Sequence, residues 1–205
     1  MDLLRRMFSL LEASRGGLTE GELVSLLGNI PQARFAPLRI ALEPFTAVNG
    51  GAIHIAVPEF RQAVCRHYGF GEAEALECRR ELAAWFAAHR DTPRRGYVLP
   101  WLLLKTEDYS SLFSLLSEQA AALEIWRRNR NELKEYWAAL GTAGYSPADG
   151  CRSALDAPEK NDAGYLLAMG ELLAETGGIR EAEKLKWQDI LPESCMKTKS
   201  CRQRR

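Results

Sequence analysis

The residue types that could do chemistry are few, and their spacing does not suit them to it. The three histidines, His54, His67 and His89, are far apart, and none sits in the HExxH or CxxC company that builds a metal site. His67 follows Cys65 by two residues, but a nucleophilic Cys–His pair needs its base within hydrogen-bond reach, and residues two apart on one helix point in different directions. Ser194 and Lys197 have the SxxK spacing that would set a serine beside an activating lysine. They stand in a basic terminal stretch without companion motifs, so chance accounts for them. Glu132 and Glu135 are one helical turn apart, as paired-carboxylate catalysis could use, yet Arg130 and Lys134 beside them make this a solvated, salt-bridged face. No glycine is followed by lysine, so a GxxxxGK[ST] phosphate cradle is missing. The reading is a non-enzyme with no catalytic residues, no metal site and no cofactor.

Bulk properties narrow the class further. Lys+Arg and Asp+Glu are both 27, which gives no general attraction to nucleic acid or to an anionic membrane. The apolar run from Val98 to Leu104 is far too short to span a bilayer. The opening MDLLRRMFSLLEAS has two arginines inside its apolar pattern and reads as an amphipathic helix rather than a leader. Five scattered cysteines, an odd number, predict a reducing, cytoplasmic setting. At 205 residues the chain can bury a sizeable core in one or two domains.

The elements that would position any site are mostly helical. Leu3, Leu4, Met7, Phe8, Leu10 and Leu11 predict a first helix, broken at Arg15-Gly16-Gly17. From Leu18 to Tyr68 the signals run helix, helix, two-stranded wing, helix. Thr19 and Glu22 form a capping box ahead of Leu23, Val24, Leu26 and Leu27, and Gly28 stops that helix. Pro37 is expected at the first position of the next helix, with Phe35, Leu38, Ile40, Ala41, Leu42 and Phe45 as its core contacts. Asn49-Gly50 signals a hairpin, and Pro58 opens an exit helix carrying Phe60, Val64 and Tyr68. This is a winged-helix pattern with a predicted core of Leu23, Leu27, Leu38, Leu42, Phe60 and Val64, and no strand outside the hairpin.

Beyond it the expected helices cover 72–89, then Tyr97 onward, 109–116, 122–128, 131–140, a short turn at 151–155, and finally 162–175 and 179–190. Polar breaks at 91–96 and 141–149 predict joints. Residues 194–205 hold five basic and no acidic residues and read as a disordered tail. The tryptophans Trp85, Trp101, Trp126, Trp137 and Trp187 fall at helix-face positions and read as core.

A winged helix that reads DNA lays its third helix in the major groove and offers Arg, Lys, Asn or Gln along it. Between Pro37 and Phe45 this chain offers only Arg39, with Arg34 just before it, and the wing tip from Val48 to Ala52 has no basic residue. Phosphate contacts supply most affinity for DNA, so a packing module is favoured. The alternative is a DNA-binding winged-helix transcriptional regulator.

The order SRGGLTEGELVSLLG, FAPLRIALEPF, FRQAV, ELAAWF, YVLPWLLLKTEDYSSLFSLLSE and RNRNELKEYWAALG resembles the winged-helix and linker region of STAND NTPases of the NACHT type, the nephrocystin-3 and telomerase-associated protein 1 kind. The likeness covers about residues 1 to 145. Leu99-Pro100-Trp101 and Tyr136-Trp137 are its sharpest small signatures. Residues 163–190 resemble one tetratricopeptide unit: Leu166, Met169 and Leu173 at packing positions, Gly170 at the repeat glycine, Ala182 at the close approach of the second helix. Lys186 and Asp189 depart from that pattern. The resemblance implies a mainly α chain: a winged-helix domain over 1–90, a helical linker over 91–145, a TPR-like hairpin over 146–193 and the tail. It also implies protein partners, either an NTPase core or another protein through the helical arm, and neither nucleic acid nor membrane. Relatives carry their nucleotide site upstream of this region, so the family's catalytic residues are not expected in this chain. One unstacked repeat predicts exposed apolar surface and association through residues 160–190.

Overall fold

A computed structural model describes residues 3–157, 161–176 and 182. The protein is mainly helical, with one small antiparallel sheet of three strands. It divides into two compact units, the first ending at Asp108 and the second beginning at Tyr109. No helix among the described residues is long and apolar enough to cross a membrane.

The first unit begins with α1 (Leu3–Ala13), which buries Met7, Phe8, Leu10, Leu11 and Ala13. Gly16 and Gly17, both at positive φ, then turn the chain into β1 (Leu18–Thr19). Helix α2 (Glu20–Leu26) starts on the predicted capping box: Thr19 Oγ1 accepts from Glu22 N at 3.2 Å, and Glu22 Oε2 accepts from Thr19 N at 2.8 Å. Gly28, at φ 85°, follows its end. Helix α3 (Gln32–Leu42) leads through a 3₁₀ turn (Glu43–Phe45) to β2 (Thr46–Asn49) and β3 (Ala52–Ile55). Gly50 and Gly51 both have positive φ, as a two-residue hairpin turn requires. Strand order is β1-β3-β2, with Leu18 opposite Ile53 and Val48 opposite Ile53 on its other side. Helices α4 (Pro58–Tyr68), α5 (Glu72–Ala88) and α6 (Arg95–Lys105) complete the unit. Glu74 of α5 holds α1 through Arg5 at 3.2 Å and Ser9 at 3.2 Å, and Arg6 pairs with Glu81 one turn or two further on.

Three sequence expectations change here. Helix α3 begins on Pro31, and Pro37 lies inside it rather than at its first position. The carbonyl that Pro37 leaves without an amide is that of Ala33, which is exposed and can be hydrated. The phase of α3 is set by Phe35 and Leu42, the two side chains it buries, which are seven residues apart on one face. Leu38 lies beside them, half-buried, whereas Ile40, Ala41 and Phe45 are exposed instead of reaching the core. The extra strand β1 is two residues long, and its Thr19 doubles as the cap of α2, so locally it looks only like a helix start.

The second unit is wholly helical among its described residues. Its helices are α7 (Tyr109–Ser117), α8 (Gln119–Arg128), α9 (Arg130–Thr142), α10 (Pro147–Gly150), α11 (Arg152–Asp156) and α12 (Ala163–Glu175). Polar side chains start three of them: Asn129 caps α9, Ser146 caps α10, and Asp162 accepts from Tyr165 N at 3.1 Å to start α12. Leu112, Leu116, Ile125, Leu133, Trp137, Leu140, Tyr165 and Met169 form the core. Trp137 lies so close over Gly150 that a Cβ there would stand 2.4 Å from its ring. Glu132 is buried, accepting from the Tyr136 hydroxyl and lying 3.4 Å from Arg128, whereas Glu135 is exposed. The expected solvated face therefore holds for Glu135 and is corrected for Glu132. Of the residues expected in a helix over 179–190, only Ala182 is described. The tail and Trp187 also lie outside the described residues.

Candidate interaction surfaces

The residues expected to form the core of the first unit lie inside it to different depths. Leu23, Leu42 and Val64 are buried, while Leu27, Leu38 and Phe60 are half-buried. Phe60 stacks on Phe45 at 4.1 Å and meets Phe8 edge-on at 5.7 Å, which ties α4 to the 3₁₀ turn before the hairpin and to α1. The residues expected to serve association, Leu166, Met169, Gly170, Leu173 and Ala182, are all buried. Helix α12 packs against α8 and α10 of its own unit. The exposed apolar surface expected over 160–190 is therefore absent from α12. Seven of its thirteen residues are covered, because α8 supplies the neighbour that a lone repeat would lack.

Exposed apolar surface occurs elsewhere. Ile40, Phe45 and Val48 are the exposed large hydrophobic side chains of the described residues, at 68%, 36% and 53% exposure, and they fall within nine positions. Around them Ala33, Pro37, Ala41 and Pro44 are exposed as well. Of the two arginines on α3, Arg39 lies 3.6 Å from Glu20 and only Arg34 is fully turned to solvent. The hairpin tip Asn49-Gly50-Gly51 carries no charge. Sequence reasoning missed this surface because an apolar residue on a helix is assigned to the core by default, and its face depends on partners distant in the chain.

The polar feature of the first unit is a clasp around Glu22, whose carboxylate is 4% exposed. Arg94 Nη1 donates to it at 2.7 Å, and Arg94 Nη2 donates to the carbonyls of Arg15 at 3.2 Å and Gly17 at 3.1 Å. Arg15 in turn donates to the carbonyl of Tyr97 at 2.9 Å and lies over its ring at 4.0 Å. The glycine turn, the start of α2 and the start of α6 are thus joined by two arginines. Beside the clasp is a cleft of about 700 Å³, lined among others by Thr19, Trp85, His89, Thr92 and Arg94. His89 stacks on Trp85 at 4.1 Å, and the Trp85 indole donates to Ser25 at 3.0 Å. Glu22 is committed to its cap and to Arg94, and the other titratable side chains lining the cleft are His89, Arg90 and Asp91.

The three described thiols are held toward their protonated form. Burial pushes Cys65 and Cys78 up, and Cys151, buried with the Tyr165 hydroxyl as its hydrogen-bond donor, is pushed up to about 12. No group of three or more His, Cys, Asp or Glu able to hold a metal ion occurs among the described residues. Comparison with protein-family models, with curated proteins and with solved structures finds no match to this chain.

Proposed function

We propose that this protein is a non-catalytic regulatory and interaction module. Its first unit is a winged helix that works against a protein partner, in the manner of the winged-helix region of STAND NTPases, and its second unit is a helical arm. The observation that carries this reading is the element order helix, strand, helix, helix, strand, strand with sheet order β1-β3-β2, combined with the character of its third helix. That helix turns Ala33, Pro37, Ile40 and Ala41 to solvent with Arg34 as its open cation, a surface suited to apolar packing rather than to phosphate. The buried Leu166, Met169, Gly170, Leu173 and Ala182 support a TPR-like packing pattern in which α12 is one helix of a pair.

The test is a pair of measurements on the purified chain. In a gel shift with duplex DNA of mixed sequence, no specific complex is expected between low and physiological salt. A tight complex that weakens steeply with salt would establish the DNA-binding alternative. Incubation with ATP or GTP and magnesium is expected to release no phosphate, and turnover by the chain alone would overturn the non-catalytic reading.

A further inference from the structure

Strand β2 is at an edge of the sheet, with β3 on one side of it and, among the described residues, no strand on the other. The direction of its backbone groups follows from the register. The turn closes on the pair Asn49 and Ala52, and Ala56 N donates to Phe45 O at 2.9 Å. Hydrogen-bonded pairs alternate along an antiparallel ladder, so Phe45, Ala47 and Asn49 turn their backbone groups toward β3, and Thr46 and Val48 turn theirs outward. The Thr46 amide is taken by the carbonyl of Glu43. Val48 thus presents both an N–H and a C=O to the outside of the sheet.

Its side chain is equally telling. Val48 stands directly across from Ile53, so both project from the same side of the sheet. Ile53 is 3% exposed, while Val48, one strand further out, is 53% exposed. The strand Thr46-Ala47-Val48-Asn49 is short, at four residues, but it carries no lysine, no proline and no inward charge to blunt its edge.

We propose that a second copy of this chain pairs with this edge, β2 against β2 and antiparallel, about a two-fold axis through Val48. In that register the two Val48 residues exchange both of their N–H···O=C bonds. Their side chains then lie together on one side of a continuous six-stranded sheet. A copy suits the edge because a two-fold contact requires one self-complementary surface, and β2 supplies it: outward groups of the right parity, an apolar residue opposite each Val48, and no charge to repel its image. The pairing extends the interaction role proposed above but stands on the strand register alone, and no outcome below depends on DNA or nucleotide measurements.

The experiment is sedimentation equilibrium of the full chain from about 5 to about 500 µM, a range that brackets associations through small interfaces. It is joined by residue-resolved amide hydrogen exchange at both ends of the range. The wild type is expected to pass from monomer to dimer, and exchange at Val48 to slow with concentration while exchange at Ala47, already bonded to β3, stays unchanged. Val48→Lys places like charges opposite one another and is expected to abolish the dimer. The exchange data on the wild type decide the matter should that variant fold poorly. A chain that stays monomeric throughout, leaving the edge for a foreign strand, overturns the proposal. So does a dimer that survives Val48→Lys, or one in which Val48 exchange ignores concentration.

Discussion

Removing the Arg94 side chain tests the largest electrostatic claim made for the first unit. Arg94→Ala leaves the Glu22 carboxylate, 4% exposed, with the Thr19 amide but without its cation. Breaking a buried ion pair from one side costs about 3–5 kcal/mol, because the remaining charge stays desolvated. The Arg94 side chain is 17% exposed, so water can partly replace it, and we place the cost at the low end. Its two bonds to the carbonyls of Arg15 and Gly17 add to this, and the total comes to about 3–4 kcal/mol. For a unit that ends at Asp108, this is a fall in Tm of roughly 13–17 °C. The control is Arg61→Ala. Arg61 grips Glu12 with two contacts of 2.6 Å, a shorter geometry than the clasp, but its side chain is 54% exposed. Solvent screening limits that pair to about 1 kcal/mol or less. Urea unfolding read at the amides of Leu23 and Leu82, both fully buried in this unit, gives the comparison. Glu22→Gln keeps the capping acceptor and removes the charge, so Arg94→Ala in that background is expected to cost about 2 kcal/mol less than in the wild type. Equal costs for Arg94→Ala and Arg61→Ala would show that burial does not rank these pairs.

Three further outcomes follow from the packing. Gly17→Ala sets a Cβ 2.1 Å from the carbonyl oxygen of Ile53, at φ 87°, and neither the turn nor the sheet backbone can yield cheaply. It is expected to cost more than about 3 kcal/mol in thermal unfolding, against about 1 kcal/mol for Gly16→Ala, whose Cβ meets Tyr97 at an ordinary 3.7 Å; similar costs would refute the close approach. In the second unit, Cys151 holds its proton to about 12 in the folded chain and releases it near 9.0 when unfolded. The stability this contributes is complete below pH 9 and is lost between about pH 9 and 12. The urea midpoint of that unit should therefore fall across this window, and Cys151→Ala should lessen the fall, the rest coming from the Tyr165 hydroxyl, which burial also pushes up. At pH 8 a thiol reagent should label half-buried Cys65 in the native chain and spare Cys151.

Features fixed by a few neighbouring residues were legible in the sequence. The Thr19–Glu22 capping box, the stop at Gly28 and the hairpin near Asn49 each rest on contacts within four residues or on the backbone freedom of glycine. The hairpin differed by one position, since Asn49 ends β2 and the turn itself is Gly50-Gly51. Features that depend on distant partners were not legible. Strand β1 exists because Leu18 and Thr19 pair with Ile53 and Ala52, and nothing in the dipeptide announces it. Ile40 was assigned to the core by its type, but Phe35 and Leu42 decide which way α3 turns. Glu132 is an exception to that division: its partners Tyr136 and Arg128 are each only four residues away, yet Arg130 and Lys134 beside it led to a solvated reading. Exposed apolar surface was expected over 160–190; α12 turns its apolar side chains inward and packs on α8, and the exposed large apolar side chains of the described residues are Ile40, Phe45 and Val48.

The polar stretch around Arg94 has a consequence for the order in which the chain is made. By composition, residues 91–96 look like a place to cut between domains, yet Arg94 and Arg95 belong to the unit that ends at Asp108. Glu22 leaves the ribosome 72 residues before its cation does. Until Arg94 follows, the helix carrying Glu22 can be capped but its carboxylate has no counter-charge to be buried against. The hairpin and the first helices can therefore form early only in a loosened, hydrated state. Closure of the glycine turn, α2 and α6 falls to the last stretch of the unit to be synthesised. A fragment ended near residue 90 would remain in that unclosed state, with its elements intact and its clasp missing.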